Sequence, residues 1–249
     1  MLVKEYREIT KISARELNIV WKELCNDALI IGGWAAHFLV NQVYREWKKI
    51  DYIGSKDIDL GIRASKLDNI TKKLIQIGYT PLNFRFFKIF DRESGKLLSE
   101  EESRKYPMYK LFYLYLDLIL DEKINRRVMF FSDPIIKFCL DNEVWVKIKN
   151  FKVIKPEPLF LIKLRILDQR DSEKRLKDIL DSLFVVCFSQ FDLDLFRELT
   201  ELFPIQAKNK KLAIKILNSR LLELELIDLR LGREEIRNLK TAFLSALQI

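Results

Sequence analysis

Asp57 and Asp59, one residue apart, and Asp117, embedded in an apolar run, are the side chains here whose types and spacing best suit chemistry. The stretch Asp57-Ile58-Asp59-Leu60-Gly61-Ile62 alternates polar and apolar residues, which predicts a strand. Successive strand side chains point to opposite faces, so the two carboxylates share one face while Ile58 and Leu60 pack the other. At about 4 Å such a pair repels by roughly 1 kcal/mol in water and about 4 kcal/mol at an intermediate effective dielectric. A cation or a proton must offset that cost, and magnesium, which takes carboxylate oxygens and keeps positions for phosphates, fits. By itself the pair more often belongs to a plain surface strand. Asp117 adds weight because it lies between Phe112 and Leu120 in a segment otherwise made of Phe, Tyr, Leu and Ile. An unpaired carboxylate there is costly, so it needs a metal, an Arg or Lys, or a raised pKa. If its strand neighbours that of Asp57 and Asp59, one ion serves all three; a structural salt bridge is the alternative.

Further polar signals are weaker. Gly32 and Gly33 stand between a short apolar run and a segment free of Gly and Pro, where missing side chains let backbone N–H groups approach a phosphate at a helix N-terminus. Lys163 and Arg170 are seven residues apart and fall near one helical stripe that Lys177 extends if the helix continues, which predicts either a cationic face for a triphosphate or a solvated face paired with Asp168, Asp171 and Asp178. His37, the only histidine, sits one turn after Gly33 and reads as a packing or capping residue. Trp34 and Trp145 offer rings for stacking, but in aromatic-rich segments such residues are usually core.

Taken in order, Ile31-Gly32-Gly33-Trp34-Ala35-Ala36, then Lys56-Asp57-Ile58-Asp59-Leu60, then Asp117 within Tyr-Leu-Asp-Leu-Ile-Leu, resemble the signature of the nucleotidyltransferase-fold superfamily. Pro158-Leu159 followed by Lys163-Leu164, Arg170, Lys177-Asp178 and Asp181 resembles the helical motif of AbiE-type toxin nucleotidyltransferases, and Gly-Gly-Trp-Ala is similar to the antibiotic enzymes acting on aminoglycosides and lincosamides. The likeness spans about residues 28 to 185; Trp34 stands where many members carry Ser. It implies an α+β fold, a mixed-sheet, polymerase beta-like core over residues 1–155 with a helical bundle over 156–249 that completes the nucleotide site. It also implies a nucleoside triphosphate substrate and one or two magnesium ions on Asp57, Asp59 and Asp117. Gly32, Gly33, Lys163, Arg170, Lys177 and Asp178 would then line the nucleotide. The implied acceptor is a tRNA or other RNA 3′ end in a toxin-like role with a cognate antitoxin. A small hydroxylated molecule, a protein hydroxyl, or an inactive RNA- or protein-binding module are the alternatives.

The elements that must position these residues follow from periodicity. Ser13 and Glu16 form a capping-box pattern ahead of Leu17, Val20, Trp21 and Leu24, predicting a helix near 14–26. A strand at Ala28 to Ile31, a helix at Trp34 to Val43, a strand at Asp57 to Ile62 and a helix from Ser65 to Ile77, closed by Gly78, come next. Phe84 to Phe90, Leu111 to Leu120, Val128 to Phe131 and Val144 to Ile154 read as strand material, the last around a turn near Asn150. Between the first two of these lies Asp91 to Lys110, a long connection that predicts a lid or binding loop presenting Arg92, Lys96, Arg104 and Lys105, or a solvated insertion. From Pro156 the chain is helical, with helices over 157–188, broken or whole, 191–203, 206–226 and 232–247.

Composition bounds the rest. Lys and Arg exceed Asp and Glu by 44 to 36, a net charge of +8 that suits an anionic partner such as a nucleotide or RNA. Three cysteines without CxxC spacing support neither a disulfide framework nor a zinc site, and predict a reducing, cytoplasmic setting. No signal-like segment or long apolar run predicts a membrane.

Overall fold

The computed structural model describes residues 2–124 and 130–248. In chain order the elements are α1 (Leu2–Leu24), β1 (Ala28–Ile30), α2 (Gly32–Lys48), β2 (Ile58–Ile62), α3 (Leu67–Gln76), β3 (Thr80–Leu82), β4 (Arg85–Asp91), β5 (Leu97–Leu98), α4 (Glu100–Ser103) and β6 (Leu111–Leu120). After them come β7 (Phe131–Ser132), α5 (Pro134–Asp141), β8 (Trp145–Ile148), β9 (Phe151–Ile154), α6 (Pro156–Arg165), α7 (Ser172–Phe188), α8 (Leu193–Leu202), α9 (Ala207–Leu217), α10 (Arg220–Asp228) and α11 (Arg233–Leu247). The fold is α+β with a mixed sheet. Strand order is β3-β4-β6-β2-β1-β9-β8, with β5 on β4 and β7 on β6. β2 and β6 run parallel, while β1 with β2 and β4 with β6 run antiparallel.

The chain forms two compact units, one of Tyr6–Ile31 and Gly54–Lys152, the other of Met1–Glu5, Gly32–Ile53 and Val153–Ile249. The segment Gly32–Ile53 groups with the C-terminal helices, because α2 packs on α6 and α7.

In the sheet unit, β6 alternates half-buried and fully buried residues along its length, which puts Phe112, Leu114, Leu116, Leu118 and Leu120 on the core side. Leu111, Tyr113, Tyr115, Asp117 and Ile119 lie on the other, half-open face. Gly61, opposite Ile119 in register, lets α5 sit on that second face, since a Cβ there would lie 3.1 Å from Ile136 Cγ2. The sequence prediction does not include α5. Its signal is local: Asp133 accepts from the Ile135 N–H and Pro134 opens the helix.

Two local patterns give way to burial. The predicted capping box of Ser13 and Glu16 lies in the middle of α1, because apolar residues at helical spacing continue upstream through Tyr6, Ile9 and Ile12. Both of its side chains are buried, and Glu16 meets the ammonium of Lys88 at 2.8 Å, an ion pair sealed from solvent. The predicted insertion Asp91 to Lys110 is instead largely ordered. Ser99 and Glu102 make a reciprocal capping box at α4, and the Arg92 N–H donates to the Lys110 carbonyl, closing the excursion at its base. Of the predicted strand Val128 to Phe131, Val128 and Met129 lie outside the described residues, and β7 takes Phe131.

In the helical unit the predicted 157–188 helix is broken between α6 and α7, where a 3-10 turn precedes Arg170 and Asp171 caps α7 by accepting from the Lys174 N–H. The predicted 206–226 helix is likewise two, since Ser219 caps α10. Among the described residues no helix is long and apolar enough to cross a membrane.

Candidate active site

In the sheet unit the parallel pairing of β2 with β6 sets Asp59 directly opposite Asp117. Adjacent strands lie about 4.8 Å apart, and partners in register present their side chains to the same face. Asp57 lies in a bend one residue ahead of β2, where strand alternation does not reach, and its charge acts on Arg85, the residue opposite Asp117. The Asp59 carbonyl accepts from the Ile31 N–H, so the end of β1, one residue before Gly32, is tied to this point of the sheet.

A fourth residue, absent from the sequence prediction, completes the group. Arg85 opens β4 opposite Asp117, and its guanidinium grips that carboxylate with both arms, Nε to Oδ1 at 2.9 Å and Nη2 to Oδ2 at 2.6 Å. The same guanidinium lies over the Tyr115 ring, 4.3 Å from its centroid, and 5.7 Å from that of Phe84. Hydrogen bonding to Asp117 raises the Arg85 pKa above its ordinary value against the pull of burial, with the charges of Asp117 and Asp57 acting in the same sense. The sequence signal is a lone cation in the apolar run Phe84-Arg85-Phe86-Phe87, complementary to a lone anion in another.

The donor set tests directly for a divalent ion. Hard carboxylate oxygens suit magnesium, and Asp57 and Asp59 meet that requirement by type. Asp117 meets it only when Arg85 lets go, because both its oxygens are engaged. Among the described residues no three His, Cys, Asp or Glu side chains are grouped so as to hold a metal ion.

The helical unit gathers the other predicted residues, though not as a stripe on one helix. Lys163 is on α6, Lys177 and Asp178 on α7, and Arg170 in the connection between them. Packing of α6 on α7 brings them together. The Lys163 ammonium donates to Asp178 Oδ1 at 2.6 Å and to Asp181 Oδ2 at 3.0 Å, and Lys177 donates to Asp181 Oδ1 at 2.6 Å. Tyr52, missed from the sequence, donates its hydroxyl to the same Asp181 oxygen at 2.8 Å. Burial and the charge of Asp181 hold the Tyr52 pKa well above its usual value, so the hydroxyl remains a donor. Burial favours neutral Lys163, yet the charges of Asp178 and Asp181 outweigh it and raise the pKa. At Lys177 burial wins, aided by repulsion from Lys163, and the pKa falls. Both lysines are therefore buried and spent on carboxylates. Arg170 differs: its side chain is 36% exposed, and its Nε faces Asp178 Oδ2 at 3.5 Å with neither atom hydrogen-bonded.

Gly32 begins α2 with φ at +64°, a left-handed conformation that glycine adopts without strain. His37 follows within α2, and because a carbonyl only accepts, its Nδ1 carries the proton donated to the Tyr52 carbonyl at 3.0 Å. Burial lowers the His37 pKa below 6.5. A group whose folded pKa is depressed contributes stability that is complete above the unfolded value and is lost as pH falls through the folded one. With no second histidine in the chain, the unfolding free energy is expected to decline below pH 6.5 by up to about 1.4 kcal/mol per pH unit, levelling at the folded pKa. Urea titrations between pH 5 and 7.5 check this, and His37→Phe should abolish the slope there.

No protein-family model matches the chain, and no curated protein does. Among solved structures it is similar to JHP933 from Helicobacter pylori, at 14% identity and a TM-score of 0.48 over 98% of this chain and 90% of that one. It is also similar to the antibiotic-resistance factor ANT(2'')-Ia, at 11% identity and a TM-score of 0.34 over 89% of this chain and 98% of that one. Both scores fall below 0.5, so neither likeness bears on activity.

Proposed function

We propose that the protein is a magnesium-dependent nucleotidyltransferase that moves a nucleoside monophosphate from a nucleoside triphosphate to an acceptor hydroxyl. The observation that carries this reading is the register of Asp59 with Asp117 on adjacent parallel strands, with Asp57 in the bend that leads into β2. Two carboxylates in register on adjacent strands are a costly arrangement that a cation offsets, Arg85 at Asp117 and a metal ion at Asp59. Asp57 and Asp59 are the residues that would hold magnesium, which when bound neutralises phosphate charge and polarises the phosphorus centre. Asp117, once free of Arg85, takes the proton from the acceptor hydroxyl. The oxygen then attacks the α-phosphorus in line, a new P–O bond forms, and the bond to the bridging oxygen breaks as pyrophosphate leaves.

The helical unit's residues take separate parts. Arg170, with an unsatisfied Nε, is the cation that suits a phosphate. Asp178 and Lys163 hold the ground from which Arg170 reaches, and Lys177 holds Asp181. The Gly32 and Gly33 backbone, opening α2, supplies N–H groups suited to phosphate oxygens.

For the acceptor, the net charge of +8 favours an RNA 3′ end over a small neutral molecule, in a toxin-like role that a cognate antitoxin would restrain. Incubation with each α-labelled nucleoside triphosphate, magnesium and total RNA should move label into RNA, with a rate that falls steeply as salt rises. Label moving only to small hydroxylated compounds, or to protein, would replace the RNA assignment. No transfer to any acceptor, with no magnesium-dependent nucleotide binding, would leave a non-catalytic binding module in its place.

A further inference from the structure

Resting on that reading, we infer that Arg85 is a positioning residue that keeps Asp117 engaged until a nucleotide's phosphates draw it away, so that metal and nucleotide load the site together. The pair is built for exchange more than for bracing. A guanidinium gripping a carboxylate with two parallel N–H bonds makes a strong contact, and a phosphate offers the guanidinium an equivalent two-oxygen partner. Neither member is sealed away as Lys88 and Glu16 are: the side chains of Arg85 and Asp117 keep 21% and 17% of their surface, against 5% each for that other pair. The Tyr115 ring beneath the guanidinium gives it a flat surface over which to move without losing its cation–π contact.

Charge makes the coupling obligatory. Arg85 and a divalent cation compete for the same oxygens, and the guanidinium raises the local potential against a second cation. Without nucleotide, Asp117 belongs to Arg85 and is withheld from the ion. Arrival of a polyphosphate supplies new oxygens for Arg85, frees Asp117 and completes the acidic set in one exchange. A purely structural salt bridge predicts the opposite behaviour, in which removing Arg85 costs stability and leaves metal affinity where it was.

The test is Mn2+ binding to the full chain, followed by the electron paramagnetic resonance of free Mn2+, with and without an α,β-methylene triphosphate analogue. Wild type should bind Mn2+ weakly alone and at least about tenfold tighter with the analogue. Arg85→Gln should bind Mn2+ about tenfold tighter than wild type without nucleotide and gain little when the analogue is added. Arg85→Lys, which keeps the charge but not the two-armed grip, should fall between them and supplies the answer should the Gln variant not fold. Folded Arg85 variants that bind Mn2+ no tighter than wild type overturn the inference. If binding is present and abolished by Asp59→Asn, that result leaves the nucleotidyltransferase reading standing. If wild type and all variants fail to bind Mn2+ with or without analogue, both fall.

Discussion

Asp59→Asn is expected to lower kcat/KM for nucleotidyl transfer by about 10³-fold or more while leaving the fold intact, and Asp57→Asn to do the same. The amide matches the carboxylate in size, so Asp59 keeps its place opposite Asp117 in the β2–β6 ladder. What it loses is the negative charge and the hard anionic oxygen that a magnesium ion selects. Relief of repulsion between neighbouring carboxylates should even offset part of any stability lost, since like charges set side by side are destabilising. Steady-state rates with the labelled nucleotide, alongside far-ultraviolet circular dichroism and a thermal melt, measure both halves of the expectation. A variant that turns over at the wild-type rate would remove these two residues from the chemistry.

Asp181→Ala should act on the fold instead, destabilising the protein by about 3–5 kcal/mol. Asp181 has no exposed surface, and it receives hydrogen bonds from Lys163, Lys177 and Tyr52. Truncation leaves two buried ammonium groups short of their counter-charge, and the penalty is that of uncompensated buried charge more than of the lost bonds. Removing a cation with the anion is therefore expected to recover much of the loss, so Lys177→Met combined with Asp181→Leu should be clearly more stable than Asp181→Ala. Lys163 keeps Asp178 in that double variant. Burial pushes the Asp181 pKa up, but Lys163 and Lys177 push it down further, and the net shift is downward from 3.8. Its stabilising contribution is thus complete above that value and drains away as pH falls below it. Urea unfolding of the single and double variants at neutral pH and below pH 4 checks both statements. A single variant with wild-type stability would show that this cluster is not what binds α6 to α7.

Much of the element order is legible in advance. Period-two alternation marks β2, and the aromatic and aliphatic run marks β6, while 3.6-residue periodicity marks the helices from Pro156 onward. These patterns are local and repeat over many residues, so each is largely independent of the rest of the chain. The errors cluster where one local signal competes with distant burial. Ser13 and Glu16 have the right types for a helix start, but Glu16 finds Lys88, seventy-two residues away, and α1 runs through. Asp133-Pro134 is a true start signal that the short apolar run behind it obscures. The 91–110 segment resembles a loop because it is polar, yet its own caps and backbone bonds order it.

For the candidate site the division is sharper. The amino-acid order alone predicted a strand carrying Asp57 and Asp59 on one face, whereas β2 takes Asp59 and begins one residue after Asp57. It determined that Asp117 needed a partner, because a carboxylate in an apolar strand cannot stand alone. Which partner it took was decided only when β4 paired with β6 and set Arg85 across from it, thirty-two residues away in sequence. In the same way Lys163, Arg170 and Lys177 had the spacing of one stripe, a cationic face or a solvated one, and only the packing of α6 on α7 turned Lys163 and Lys177 inward. Side-chain direction within an element follows from backbone geometry that every residue shares, whereas the pairing of charges across elements depends on strand register and helix packing, which no local pattern encodes.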